Sequence, residues 1–227
     1  MTTYRGIKGL GIQNITSDAA ASQIAGGTWA SSNNLNTARR GAGGDGTQTA
    51  AFMVAGYTGS DSAAHEQYDG SSWSEEGDIN TARYSGSGMG TTTAAIHAAG
   101  QPSPTINLNE EWNGSAWSEE GDLNAGKNYR AGAGTSTAAI VAGGQPPTSN
   151  NVESWNGSSW SETTEINSVR FGAAGVGTST ATLVISGTDP GGTMDEVEQW
   201  NGSAWTEIAE INTARAGYLA ASGTTTE

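Results

Sequence analysis

The chain has 227 residues, among them 34 glycines and eight tryptophans, with no cysteine and a formal net charge of −14. That length suits one large all-β domain, and so much tryptophan beside so much glycine fits neither a disordered nor a helical chain. The lack of cysteine excludes disulfides, thiolate metal sites and cysteine nucleophiles, while the acidity disfavours nucleic acid and anionic lipid, which a negative surface repels.

The opening MTTYRGIKGLGIQN has no apolar core of signal-peptide length, and no stretch is long and apolar enough to span a bilayer. The expectation is therefore synthesis in the cytoplasm without membrane insertion. Beyond residue 20 the sequence repeats. Trp29, Trp73, Trp117, Trp160 and Trp205 are spaced by 44, 44, 43 and 45 residues, and Leu35-Asn36, Ile79-Asn80, Leu123-Asn124, Ile166-Asn167 and Ile211-Asn212 keep the same intervals. Two landmarks that share the same one-residue slips mark a structural period.

Each period reads as four strands, a to d. Strand a is small and glycine-rich, as at 85–90 or 131–134, and strand b is an apolar run, as at 52–55, 138–141 or 183–185. Strand c ends on Tyr68, Trp112, Trp155 or Trp200. Asp69-Gly70, or Asn-Gly at 113–114, 156–157 and 201–202, follows as a tight hairpin turn that needs positive φ. Strand d then begins at the repeating tryptophan. Four strands in every period of about 44 residues is the pattern of a propeller blade.

The complete units are 35–78, 79–122, 123–165 and 166–210. The remainders, 1–34 and 211–227, add up to one more: without gaps ASQIAGGTW at 21–29 lies over VEQWNGSAW at 197–205, and 7–11 falls on strand b of the fourth unit. The sequence predicts one all-β domain over 1–227, a closed five-bladed β-propeller of four-stranded blades. Its last blade joins strands b, c and d from the N-terminus to strand a from the C-terminus, which leaves no free edge between blades. Tryptophans of strands c and d are expected to fill the space between blades, and the acidic runs Glu75-Glu76-Asp78 and Glu119-Glu120-Asp122 to line the outer edge.

The unit resembles the kelch repeat over essentially the whole chain. The matching features are AIVAGG at 139–144, the later aromatic, turn and tryptophan, and the Asn-Thr-Ala-Arg step at 36–39, 80–83 and 212–215. It departs from that repeat where Ala55-Gly56, Ala99-Gly100 and Ser186-Gly187 stand in place of a double glycine, and in a shorter Tyr-to-Trp spacing. NGSAW followed by NTAR, and the N-terminal TTYRGIKG, are similar to kelch-like proteins encoded by marine bacteriophages. That resemblance implies a virion component of tail-fibre or other surface type, with other virion proteins and a host-surface glycan or protein as partners.

In an a-b-c-d meander the d–a and b–c connections share one face. The b–c loops at 57–62, 101–105, 145–150 and 188–193 differ from one another and carry Tyr57, Gln101 and Gln145 as candidate ligand contacts, since binding residues concentrate on loops held by a rigid scaffold. The same face starts strand a with Arg39, Arg83, Lys127, Arg170 and Arg215, one cation per unit. Such a ring suits carboxylates, sulfates or acidic sugars. Glu66, Glu110, Glu153 and Glu198 recur two residues before the strand-c aromatic, so pairing of the two sets is the competing reading.

His65 and His97 fall at different places in the repeat and predict no shared metal or acid–base site, and the acidic runs lack the Asp-x-Asp-x-Asp-Gly pattern of a calcium loop. The Asn-Gly-Ser sequons at 113–115, 156–158 and 201–203 are accounted for by the turns. Kelch-fold copper oxidases need a cysteine-crosslinked tyrosine and histidine ligands, which this composition does not supply. No cofactor, metal or catalytic residue is expected. The expected function is a non-enzymatic virion surface or tail-associated binding or structural module that recognises a host-surface glycan or protein; the alternative is a kelch-type adaptor that takes an acidic peptide on its basic ring.

Overall fold

The computed structural model describes residues 31–102 and 106–223. The chain divides into two units, Met1–Asn33 and Asn34–Glu227, and the architecture below is that of the second. Its elements, in order, are β1 (Gly43–Thr47), β2 (Ala50–Val54), β3 (His65–Tyr68), β4 (Trp73–Glu75), β5 (Ser87–Gly90), β6 (Ala95–Ala98), β7 (Asn109–Trp112), β8 (Trp117–Glu120), β9 (Ala131–Thr135), β10 (Ala138–Ala142), β11 (Val152–Trp155), β12 (Trp160–Thr163), β13 (Ala174–Thr178), β14 (Ala181–Asp189), β15 (Gly192–Trp200) and β16 (Trp205–Glu207). They form four four-stranded antiparallel sheets, each a simple meander, and the described residues contain no helix.

The third strand of every sheet ends on its aromatic residue, directly opposite the tryptophan that starts the fourth: Tyr68 with Trp73, Trp112 with Trp117, Trp155 with Trp160, Trp200 with Trp205. The turn between them sets this register. Asn113 Oδ1 accepts from the Ser115 N–H, the Ser115 hydroxyl and the Ala116 N–H, and Asn156 and Asn201 repeat the arrangement. Asp69 does the same in the first blade. An Asx side chain thus fixes the backbone locally before any packing acts on it.

First strands lie side by side around the axis, β1 against β5, β5 against β9 and β9 against β13. Their glycines are a steric requirement: a Cβ on Gly88 would come 2.6 Å from the Gly44 nitrogen, and one on Gly175 2.5 Å from the Gly132 oxygen. Farther out, three apolar cores fill the spaces between successive blades. Phe52, Val54 and Ile79 meet Trp112 and Trp117; Ile96, Met89 and Leu123 meet Trp155 and Trp160; Ile140, Ala142 and Ile166 meet Trp200 and Trp205. Each wide aromatic pair caps the strands of the preceding blade, and burial of this kind contributes about 25 cal/mol per Å² of apolar surface.

Among the described residues there are four blades, not five. The closing blade expected from 1–34 with 211–227 is not formed among the described residues: 208–223 carry no strand, and 1–30 lie outside the description. Residues 211–217 do repeat the connection that enters a blade. The Gly187 N–H donates to the Arg215 carbonyl as those of Gly56, Gly100 and Gly144 donate to the carbonyls of Arg83, Lys127 and Arg170. After Gly217 the repetition stops, because a strand-a segment becomes a strand only on a strand-b ladder, and 218–223 find none among the described residues. A second correction concerns 188–193, expected as a loop. Here β14 and β15, nine residues each, continue as a hairpin past a register shift between Ile185 and Gly187, closed by Asp189 Oδ1 accepting from the N–H groups of Gly191 and Gly192.

Candidate functional site

The segment entering each blade is gathered in by a buried glutamate of that blade's third strand, two residues before its closing aromatic. Glu110 accepts from the backbone N–H of Asn80 (2.6 Å) and Thr81 (3.2 Å), the Asn80 amide (2.9 Å) and the Arg83 guanidinium. Glu198 takes the N–H of Asn167 and Ser168, the Asn167 amide and Arg170 at 2.7 Å, and Glu66 binds the N–H of Asn36 and Thr37 together with Arg39. These side chains are sealed from water, with Arg39, Arg83 and Arg170 at 0% side-chain exposure. The predicted cation positions 39, 83 and 170 are therefore filled by guanidiniums paired inside the scaffold.

Lys127 departs from this pattern. Its amine faces the carbonyls of Pro146 and Pro147 at 3.5 Å, and burial lowers its pKa. Glu153 instead receives Arg130, three residues later, at 2.7 Å. The corresponding positions in the other blades are Ala42, Gly86 and Ala173. At Gly86 the space that a side chain would take is filled by the His97 ring, 2.8 Å from where a Cβ would sit. His97 Nδ1 accepts from Arg83 Nε at 2.9 Å, and burial first, then the Arg83 charge, keeps the imidazole well below its ordinary value. His65 packs against Trp112 and Trp117 and accepts from Trp117 Nε1 at 3.2 Å. Arg215 is exposed and is held through its backbone, by Met194 and Ser186.

Tyr57, Gln101 and Gln145 lie where the sequence places them, one per blade at the start of the b–c connection, each half-buried. Each is clamped by a backbone bridge to the residue that follows the entry cation: Arg40 with Tyr57, Tyr84 with Gln101, Asn128 with Gln145, and Phe171 with Thr188 in the last blade. Around these bridges stand aromatic side chains that, Tyr57 apart, the sequence did not single out. Tyr57 and Tyr84 are 5.2 Å apart between ring centroids, Tyr129 and Tyr218 are 5.6 Å apart, and Phe171 meets Tyr129 edge-on. The exposed Arg40 guanidinium lies 4.9 Å from the Tyr57 centroid, a cation–π contact.

A cavity of about 360 Å³ opens at this place, with Arg40, Ser85, Tyr129, Arg130, Tyr218 and Leu219 among its walls. The hydrogen bond with Tyr129 raises the Tyr218 phenol, and partial burial raises Tyr84, so both hydroxyls stay protonated donors at neutral pH. The signal for Tyr129 is present in the sequence: two residues after each entry cation stands Gly41, Ser85, Gly172 or Gly217, and only Tyr129 is large. Among the described residues, no group of three or more His, Asp and Glu side chains is placed to hold a metal ion.

The four described blades, with their first strands packed side by side, make this a β-propeller, a fold suited to binding or interaction rather than tied to one chemistry. Neither a protein-family profile nor a curated protein matches the chain. Among solved structures it is similar to YjhT, a kelch-type propeller, with a TM-score of 0.66 and 15% identity over 79% of this chain and 68% of that one. At that identity the likeness establishes the fold alone.

Proposed function

We propose that the chain is a non-enzymatic binding module of a virion surface, which takes a host-surface glycan at the aromatic mouth of the propeller axis. The observation that carries this reading is a cavity walled by Tyr129, Tyr218 and Arg40, with Tyr57 against the Arg40 guanidinium and Tyr84 against Tyr57. Tyrosine offers a flat apolar face for the C–H side of a sugar ring and a hydroxyl for its polar edge, and a concave site with few polar groups is the usual form of a ligand pocket. The virion setting is supported by the resemblance of the NGSAW and NTAR units to phage-encoded kelch-like proteins. Pairing of Arg39, Arg83 and Arg170 with glutamates weighs against an acidic peptide held on a basic ring.

Glycan-array binding compared between the wild type and Arg40→Ala/Tyr218→Ala, both in the cavity wall, tests the reading. Array signal in the wild type that disappears in the variant at unchanged thermal midpoint is the expected result. A silent wild type, or a variant that binds equally well, overturns it. Recovery of the protein only from host cytosol, and not with purified particles, removes the virion assignment.

A further inference from the structure

The residue two beyond each entry cation is held in the left-handed region: Gly41 at φ 62°, Ser85 at 58°, Tyr129 at 55°, Gly172 at 66° and Gly217 at 79°. A chain of backbone hydrogen bonds imposes it. Ser85 N–H donates to the Gly41 carbonyl (2.7 Å), Tyr129 N–H to that of Ser85 (2.9 Å) and Gly172 N–H to that of Tyr129 (2.9 Å), linking one blade to the next around the axial mouth. Glycine adopts this conformation freely, whereas a bulky side chain there is an outlier that costs backbone energy. Tyr129 is the one bulky residue in the set.

Interior packing does not account for it. Tyr129 belongs to none of the three inter-blade cores and is partly exposed. Its ring instead forms a wall of the axial cavity, edge-on to Phe171 and tilted against Tyr218, with the two phenol oxygens 3.2 Å apart. Strained backbone that the surrounding structure over-determines is characteristic of ligand sites.

We infer that Tyr129 is the main ligand-contacting residue of this module, a platform on which a single pyranose ring stacks inside the cavity, with the Tyr218 hydroxyl and the Arg40 guanidinium meeting the sugar's oxygens. The inference rests on the glycan reading above and adds the residue and the size of the recognised unit. A cavity of about 360 Å³ has room for such a ring against the tyrosine.

The test uses the full chain, ligand-observed NMR with the methyl pyranosides of glucose, galactose, N-acetylglucosamine and glucuronic acid, and the variants Tyr129→Gly and Tyr129→Ala. Both variants are expected to lose affinity for the bound pyranoside by roughly tenfold or more. Tyr129→Gly should unfold about 2–4 °C above Tyr129→Ala, because only glycine relieves the backbone. If no pyranoside binds the wild type, the glycan reading itself falls. If the wild type binds and Tyr129→Gly binds as tightly, the platform assignment alone falls, and a glycine variant less stable than the alanine one shows that the position is not strained.

Discussion

Replacing Glu110 with alanine removes the acceptor of four donors at once: the backbone N–H groups of Asn80 and Thr81, the Asn80 amide and the Arg83 guanidinium. Asn80 is exposed, so water takes over much of what its groups lose. Arg83 is different, because its side chain is at 0% exposure and keeps only the His97 ring nitrogen and the carbonyls of His97 and Thr81 as partners, none of them charged. Removing one partner of a buried pair costs about 3–5 kcal/mol, against roughly 0–1 kcal/mol for a solvent-screened pair. With total stabilities of about 5–15 kcal/mol and a midpoint shift of about 2–4 °C per kcal/mol at this size, Glu110→Ala should melt about 6–20 °C lower. Urea unfolding followed by tryptophan fluorescence reads the change. Glu110→Gln, which keeps an acceptor, should fall between wild type and alanine, and Glu119→Ala at the exposed outer edge should lie within about 0.5 kcal/mol of wild type. A loss below about 1 kcal/mol for Glu110→Ala would show that the pair is solvated and Arg83 free to meet a ligand, which refutes the scaffold role.

Three further outcomes follow from the same geometry. His97 has a folded-state pKa well below 6.5, so its neutral form carries stability that is fully present above the unfolded value; below it the unfolded chain takes up a proton that the folded chain refuses. Stability measured by urea midpoints should fall between about pH 7 and pH 5, by up to about 1.4 kcal/mol per pH unit, and His97→Met, which copies Met53 at the same register of the first blade, should flatten that slope. Asp69 is held down to about 2 by hydrogen bonds from Ser72 and Ser71. Its NMR titration should inflect near that value, and Asp69→Asn should leave the urea midpoint at pH 7 unchanged, since Asn fills the turn in the other three blades. Gly100→Ala places a Cβ 2.9 Å from the Tyr84 carbonyl at a φ of 121°, and should cost about 1–3 kcal/mol in the same unfolding assay.

The repeat made the blade legible to the residue where local chemistry fixes it. Every third strand ends on the aromatic and every fourth begins on the tryptophan read from the sequence, because the Asx turn between them needs no distant partner. The paired glycines were legible in outline, and the structure explains their unevenness. Ala55, Ala99 and Ser186 stand at φ near 62°, the left-handed region that a small side chain enters at a cost of about 1–2 kcal/mol, while Gly56, Gly100, Gly144 and Gly187 stand at 107–121°, where only glycine is at ease.

Closure of the ring was not legible, since matching ASQIAGGTW to VEQWNGSAW compares patterns, and a strand exists only where its ladder does. The Lys127 position failed for a related reason. Spacing places a cation along the chain, but the Arg130 side chain, three residues later, is long enough to reach Glu153 and takes its place. The aromatic mouth was hidden because its residues come from blade-entry segments and the C-terminal turn, which meet only after the blades assemble.

That cations build the scaffold while aromatics meet the ligand is open to one direct measurement, a crystal structure of the chain soaked with the pyranoside it binds best. The predicted result is sugar density against Tyr129, Tyr218 and Arg40, with Arg39, Arg83 and Arg170 still on their glutamates. Sugar on the outer strands or the Asx turns, or an arginine released from its glutamate to hold the sugar, would contradict it.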